Sequence, residues 1–401
     1  MIEQMWQIYD EEKAKGPGFS KRTADRLGWT DGQLRGHMGR NPRRSETDEL
    51  VASQAKKIAT QASTIAGLRA EKRATMAELV AAGDIFKAIE DNVIPISTKP
   101  LIPRTASRHD RPQDLCLLLG DWHGGKVITR EMTNGFNEFN MHILACRMDL
   151  LTDKVISLII DEQQQHNIQR IVVVLLGDMI NGGIHEGDGG RNETDEATAA
   201  IWVGDLQAQM GERFAQYLPV EFRDVRGNHA RFGEKMTSSR PDASWDGVAS
   251  HCARARLKGY MEDGRIVWPV NHAWTTTVEL QGHKFLATHG QEIKTTLSVP
   301  WPGASRAFKN RQEAELMKTD KGIHMILFGH HHRSAHERRV FIANGSPVGI
   351  DGYGEISGFT PVEPIQVGFK VDRERGVDNI YEFELSDAPE EHSFDLPDTS
   401  G

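Results

Sequence analysis

Ile171-Val172-Val173-Val174-Leu175-Leu176-Gly177-Asp178-Met179-Ile180-Asn181-Gly182 decides the fold. An aliphatic run this dense, rich in β-branched residues and broken at Gly-Asp, reads as a buried strand ending in a polar turn. The pattern recurs on both sides. Leu117-Leu118-Leu119-Gly120 leads into Asp121-Trp122-His123-Gly124-Gly125, and Val225-Arg226-Gly227 leads into Asn228-His229. Thr288-His289-Gly290 and Phe328-Gly329-His330-His331-His332 follow. Strands are expected at 115–119, 170–176, 220–225, 266–270, 275–280, 284–288, 325–328, 340–343, 365–371 and 380–384, with Gln281-Gly282 turning one hairpin. Between the first two strands, Ile143, Leu144, Leu151, Val155, Leu158 and Ile159 fall near a 3.6-residue period, which predicts a helix over 140–164. Strands interleaved with helices in this order predict an α/β layered domain with a mixed sheet.

The chain has 401 residues, and at about 150 residues per domain it holds two or three units. Lys and Arg number 48 against 57 Asp and Glu, a formal charge of -9, which excludes a generally basic nucleic-acid coat protein. Cys116, Cys146 and Cys252 are far apart, without a CxxC, and so indicate neither a disulfide framework nor a zinc ribbon. No apolar run approaches the roughly 18 residues of a spanning helix, and no signal peptide opens the sequence. The expectation is a soluble cytoplasmic protein with no membrane partner.

Residues 1–47 read as short helices. Gly16-Pro17-Gly18 breaks a first segment, Ser20 is a candidate N-cap for a second, and Thr30 caps a third after Gly28. Ala24, Gly28 and Leu34 stand where a helix-turn-helix needs a small residue, a turn glycine and a core aliphatic. This stretch is locally positive, with nine Lys and Arg up to Arg44 against six acids. Gln33 and Arg35 would then lie on a recognition helix, with Lys21, Arg22 and Arg40 near phosphates; a small helical cap is the plainer alternative. Over 48–92 a heptad seam through Val51, Ile58, Ile65 and Leu79 predicts a long helix, either a homodimer coiled coil over 48–82 or an intramolecular helix. Prolines mark 93–113 as a linker before a domain over 114–385. Residues 386–401 hold five acids and no Lys or Arg, which predicts a solvated acidic tail.

Carboxylates and imidazoles at the ends of buried strands are costly to desolvate unless a bound cation compensates. The set Asp121, His123, Asp178, Asn228, His289, His330 and His332 mixes hard oxygen with imidazole and contains no thiolate. That suits manganese first, with iron, zinc, cobalt, nickel or magnesium as alternatives, rather than calcium or a structural zinc. Seven side chains exceed the needs of one ion with an open position, so two ions sharing a carboxylate fit better. The glycines before the ligands are expected to let the chain turn tightly after the strand and bring the side chain into a crowded centre.

The order Gly-Asp-x-His, Gly-Asp-x-x-Asn, Gly-Asn-His, His, Gly-His-x-His resembles the calcineurin-like metallophosphoesterase superfamily over about residues 114–385. The resemblance implies a four-layer α/β/β/α sandwich with a two-metal centre at the strand ends. It implies that Asp121, His123, Asp178 and His332 hold one metal. Asp178, as the bridge, would join Asn228, His289 and His330 at the other. His229 would be the catalytic residue that supports the transition state or protonates the leaving oxygen. Asn134-Gly135-Phe136-Asn137-Glu138-Phe139-Asn140 further resembles phosphoesterases of bacteriophages, which would place the protein in a host cytoplasm. Two departures stand out: Ala230 follows Gly-Asn-His where an acid is common, and Asn181 ends the second motif in place of an acid.

In such centres two divalent ions lower the pKa of a shared water, which attacks phosphorus in line. Asn181, His185, Arg231 and Lys235 lie in the segments after the second and third motifs and are candidate substrate contacts. The preferred expectation is a phosphodiester hydrolase acting on DNA, which would meet the amino-terminal module and the catalytic groove. One alternative is a phosphatase or phosphodiesterase for phosphoproteins, nucleotides or cyclic nucleotides. Another is a DNA-binding regulator with a silent catalytic domain, against which the intact ligand set argues.

Overall fold

The computed structural model describes residues 1–40, 56–57, 60–61, 63–64, 67, 80, 82–102, 111–183, 192–232, 240–241, 243–295, 300–319, 321–350 and 362–397. The chain divides into two units, Met1–Arg73 and Ala74–Gly401. Among the described residues no helix is long and apolar enough to cross a membrane.

The first unit contains α1 (Ile2–Lys13), α2 (Phe19–Leu27) and α3 (Asp31–Arg40). Met5, Ala24 and Leu34 are buried together, with Trp6, Leu27, Trp29 and Met38 packed around them. Gly28 closes α2 in the left-handed conformation (φ 70°), and Thr30 opens α3. There the Thr30 N–H donates to Gln33 Oε1 (2.8 Å) and the Gln33 N–H to Thr30 Oγ1 (3.2 Å), a reciprocal cap. Gln33 therefore closes its own helix, although it was expected to read bases. Ser20 is not the cap of α2, because that helix begins one residue earlier after Gly18; its hydroxyl donates to Asp31 instead. Arg22 is also drawn inward, to Glu12 Oε2 and to the Glu12, Gly16 and Pro17 carbonyls.

Bonds from Lys15 and Arg22 hold the buried Glu12 carboxyl down at about 2, against 4.5 unperturbed. A depressed carboxyl stabilises the fold fully above the unfolded pKa and loses that contribution as pH falls through the folded one. Protection of the α1–α3 amides in hydrogen exchange, corrected for intrinsic rates, should therefore decline between pH 4.5 and about 2. In Glu12→Gln the decline should be absent; an identical decline would remove Glu12 as its cause.

In the second unit, helix α4 (82–92) buries Ala82 and Ile89 and stacks Phe86 near His251. The heptad seam itself (Val51, Ile58, Ile65, Leu79) lies outside the described residues. One sheet has the order β11-β10-β1-β2-β3-β4, from β1 (Pro112–Leu119), β2 (Asn167–Leu175), β3 (Val220–Asp224), β4 (Ile266–Val267), β10 (Ile365–Asp372) and β11 (Gly376–Glu384). The other has the order β5-β6-β7-β9-β8, from β5 (Thr275–Leu280), β6 (His283–Thr288), β7 (Met325–Phe328), β8 (Ala335–Glu337) and β9 (Phe341–Ala343).

Alternation along the strands builds the layers. Leu115, Leu117, Leu119, Ile171, Val173 and Leu175 face a core shared with α5 (Met141–Gln165), α6 (Glu196–Phe214) and α7 (Trp245–Arg256). Cys116, Leu118, Val172 and Val174 face Phe285, Ala287, Leu327 and Ile342 of the other sheet. Leu286, Ile326, Phe328 and Phe341 pack outward on Ala304 of α8 (Trp301–Thr319). The result is an α/β/β/α sandwich, in which each fully buried aliphatic contributes about 1.5–3 kcal/mol.

The end of the chain differs from expectation. Residues 386–397 are not simply solvated: Phe394 is buried under Arg213, Ser393 bonds Asp149, and Gln209 exchanges bonds with the Asp395 backbone. The acidic composition concealed one aromatic anchor.

Candidate metal centre

All five motif turns leave the carboxyl ends of strands: Asp121 and His123 after β1, Asp178 after β2, Asn228 and His229 after β3, His289 after β6, His330 and His332 after β7. Parallel pairing of β1 with β2, β2 with β3 and β6 with β7 places those ends on one side of each sheet. Such ends are where open α/β sheets bind ligands.

The ligand turns are strained. Asp121, His123, Asp178, His330 and His332 adopt left-handed backbone, with φ of 54°, 47°, 51°, 68° and 55°. For non-glycine residues this costs about 1–3 kcal/mol each and persists only where surroundings enforce it. Here Asp121 N donates to Gly177 O (3.0 Å), His123 N to Asp178 O (3.0 Å) and Gly329 N to His289 O (2.8 Å). Of the glycines that precede ligands, Gly177 has positive φ (87°), whereas Gly120, Gly227 and Gly329 do not. Gly227 and Gly329 serve close approach instead, since a methyl at either would overlap a carboxylate oxygen, of Asp178 or Asp121 respectively.

Two groups of ligand atoms gather: Asp121, His123 and His332 in one, and Asp178, His289 and His330 in the other. In the second, His289 Nδ1 donates to Leu176 O (2.8 Å), which aims Nε2 at Asp178 Oδ2 (3.0 Å), Asn228 Oδ1 (3.1 Å) and His330 Nδ1 (3.2 Å). Burial would lower the His289 pKa, but the Asp178 charge outweighs it and raises it to about 10. One proton on Nε2 serves one neighbour, whereas a cation satisfies them all. Asp178 Oδ2 is buried, with the His289 ring as its ion-pair partner. In the first group, His123 Nδ1 meets Asn181 Oδ1 (3.2 Å) while the Asn181 amide donates to Asn192 Oδ1 (2.8 Å). That leaves the His123 and His332 Nε2 atoms facing each other at 3.1 Å, with Asp121 Oδ1 3.5 Å from the latter. Burial, then the neighbouring His229, hold the His123 pKa well below its usual value, so its Nε2 offers a lone pair. Burial likewise lowers His330 to about 3. Carboxylate and imidazole ligand atoms that converge with fewer protons than acceptors fit divalent cations at both places.

The other expected residues are distributed as follows. His229 lies beside His123, ring centroids 4.7 Å apart, and its Nδ1 meets Asn181 O at 3.1 Å. This main-chain carbonyl orients the ring where Ala230 supplies no carboxylate. The Asn181 side chain, expected to touch substrate, instead holds His123. Arg231 Nη1 donates to Asn228 O (2.6 Å), at the edge of the centre. His185 and Lys235 lie outside the described residues. Lys21, Arg22, Gln33, Arg35 and Arg40 belong to the amino-terminal unit, where Arg35 pairs with Asp31 (2.5 Å) and keeps its side chain 74% exposed. His331, between two ligands, packs its ring against Phe328 and His330, and burial lowers its pKa to about 4.

Three supporting residues carry no local signal in the sequence. Ser346 Oγ donates to Asp121 O (2.7 Å), and Gln366 Oε1 accepts from Gly120 N (3.0 Å) and Trp122 Nε1 (3.3 Å). Asp246 accepts main-chain bonds behind Asp178, and burial followed by the Asp178 charge raises its carboxyl to about 6. Each lies far along the chain from the motif it supports, so only the fold reveals it.

Residues 115–334 match the sequence family of calcineurin-like phosphoesterases. No curated protein matches the chain. Solved structures similar to it include a conserved uncharacterised protein, a predicted phosphoesterase, from Streptococcus pneumoniae TIGR4, at 11% identity and a TM-score of 0.25, covering 68% of this chain and 98% of that one. Wild-type Vps29 complexed with zinc, from Entamoeba histolytica, is similar at 12% identity and a TM-score of 0.26, covering 68% and 99%.

Proposed function

Because the chain belongs to the calcineurin-like phosphoesterase family, we propose that it is a dinuclear, manganese-dependent phosphodiesterase that cleaves DNA. Metal-dependent phosphoester hydrolysis follows from the family together with the two ligand clusters. The observation that supports the dinuclear reading is the gathering of carboxylate and imidazole ligand atoms in two groups.

Asp121, His123 and His332 would hold one cation and Asn228, His289 and His330 the other, with Asp178 shared. When bound, the pair lowers the pKa of a water and offsets charge on the phosphoryl oxygens. His229, oriented through Nδ1 by Asn181 O, presents Nε2 as the nitrogen that can carry a proton to the leaving oxygen. Arg231, anchored on Asn228 O, supplies a positive charge for a phosphate beside the ligands.

The choice of DNA is supported by the α2-turn-α3 arrangement, on which Lys21, Arg35 and Arg40 are exposed. A second reading, hydrolysis of small diesters, is favoured by the internal commitment of Arg22 and Arg26 to Glu11 and Glu12. With Mn2+, the protein should cleave single- or double-stranded DNA as well as bis-para-nitrophenyl phosphate. Deleting residues 1–47 should weaken DNA binding and flatten its dependence on salt, by a log–log slope of about 0.9 per lost phosphate contact on duplex. Cleavage of the small diester alone favours the second reading, and an unchanged salt slope removes the helical module from DNA recognition.

A further inference from the structure

Asp246 lies in the first turn of α7 and is 2% exposed, an acid with no expected role in the sequence. Its Oδ2 accepts from Asp178 N (3.1 Å) and Gly227 N (2.9 Å), and its Oδ1 from Met179 N (2.9 Å). The three donors come from two turns, one after β2 and one after β3. Each turn carries a candidate ligand: Asp178 in the first, Asn228 next to Gly227 in the second.

We propose that Asp246 is a positioning residue of the metal centre: its carboxylate ties the Asp178-Met179 turn to the Gly227-Asn228 turn and so sets the separation of the Asp178 and Asn228 oxygens. This rests on the metal-dependent reading above.

The tie has a rigid base. Trp245 N donates to Ala230 O (2.7 Å), which fixes the start of α7 against the end of the third motif. Gly204 of α6 packs so closely on Ala249 and Cys252 that a methyl there would meet the Ala249 carbonyl at 2.7 Å. Arg226, paired with Asp224 (2.6 Å), sits against Gly247, so a buried cation backs the same helical turn. Left-handed backbone at Asp178 is unfavourable on its own, and two of the three bonds to Asp246 come from that strained turn.

Charge and geometry can be separated. In Asp246→Asn the amide group must confront at least one of the three N–H donors, while Asp246→Glu keeps the charge and displaces the oxygens by one methylene. Both variants of the full chain should bind Mn2+ about 10–100-fold more weakly in calorimetry, the usual cost of removing a group that orients a metal ligand. Asp205→Asn is the control. It breaks the pair between Asp205 on α6 and the half-buried Arg256 on α7 (2.8 Å) and should lower the melting temperature while leaving the Mn2+ dissociation constant unchanged. Wild-type affinity in Asp246→Glu, or equal weakening in Asp205→Asn, would overturn the proposal. Absence of Mn2+ binding by the wild-type chain would sink the metal-dependent reading itself, whereas binding that the Asp246 variants leave intact would sink only this role.

Discussion

Asp178→Asn is expected to lower the turnover of bis-para-nitrophenyl phosphate by about three decades or more and to reduce the number of Mn2+ ions bound. The magnitude follows from the several kcal/mol of transition-state stabilisation that metal centres supply, at about 1.36 kcal/mol per decade. Asp178 is the right position because it meets both sides of the centre. Its Oδ1 accepts from His229 N (2.7 Å), and its Oδ2 pairs with His289 Nε2 (3.0 Å). Burial opposes its ionisation, yet His289, His229 and His123 together hold its pKa well below the usual carboxylate value. Asparagine is the informative replacement, because Asn tolerates left-handed backbone at least as well as Asp does, and φ here is 51°. Alanine would add backbone strain to the loss of charge. Full Mn2+ stoichiometry with undiminished turnover would show that Asp178 is no ligand.

What could be read from the sequence follows the range of the interactions involved. The strand-then-turn motifs were legible because each candidate ligand directly follows its own apolar strand, as Leu117-Leu118-Leu119 precedes Asp121. Alternate residues of those strands face different layers, so dense aliphatic runs such as Val172-Val173-Val174 correctly signal burial on both sides. β8 (Ala335–Glu337) was not foreseen, since three residues without a strong apolar pattern pair with β9 only because the fold brings them there. Asp246 carries no signal in the sequence, because its role as acceptor depends on two turns that only the fold brings together. Phe394 was lost in an acidic background, and Gln33 and Arg22 looked available because their internal partners depend on how three helices pack. The left-handed ligands are a further case: only after the turns are built does it appear that the side chains closest to the chemistry carry the strain.

His229→Ala should separate proton transfer from metal binding. Its main-chain N–H bond to Asp178 Oδ1 survives the substitution, and its ring belongs to neither ligand group, so Mn2+ content should match the wild type. Turnover should nevertheless fall by about 10²–10⁴-fold, the usual contribution of a positioned acid. The loss should also depend on the leaving group. A nitrophenolate departs readily without a proton, whereas an alkoxide such as a nucleoside hydroxyl does not, so the variant should be impaired most on the poorer leaving group. Equal impairment on both would assign His229 to stabilising charge on the phosphoryl oxygens. Metal loss in step with activity would assign it to the cation site. Orientation by a neutral carbonyl sharpens the comparison: Asn181 O accepts from Nδ1 whether the ring carries one proton or two, so the geometry persists through the proton transfer that the reaction requires.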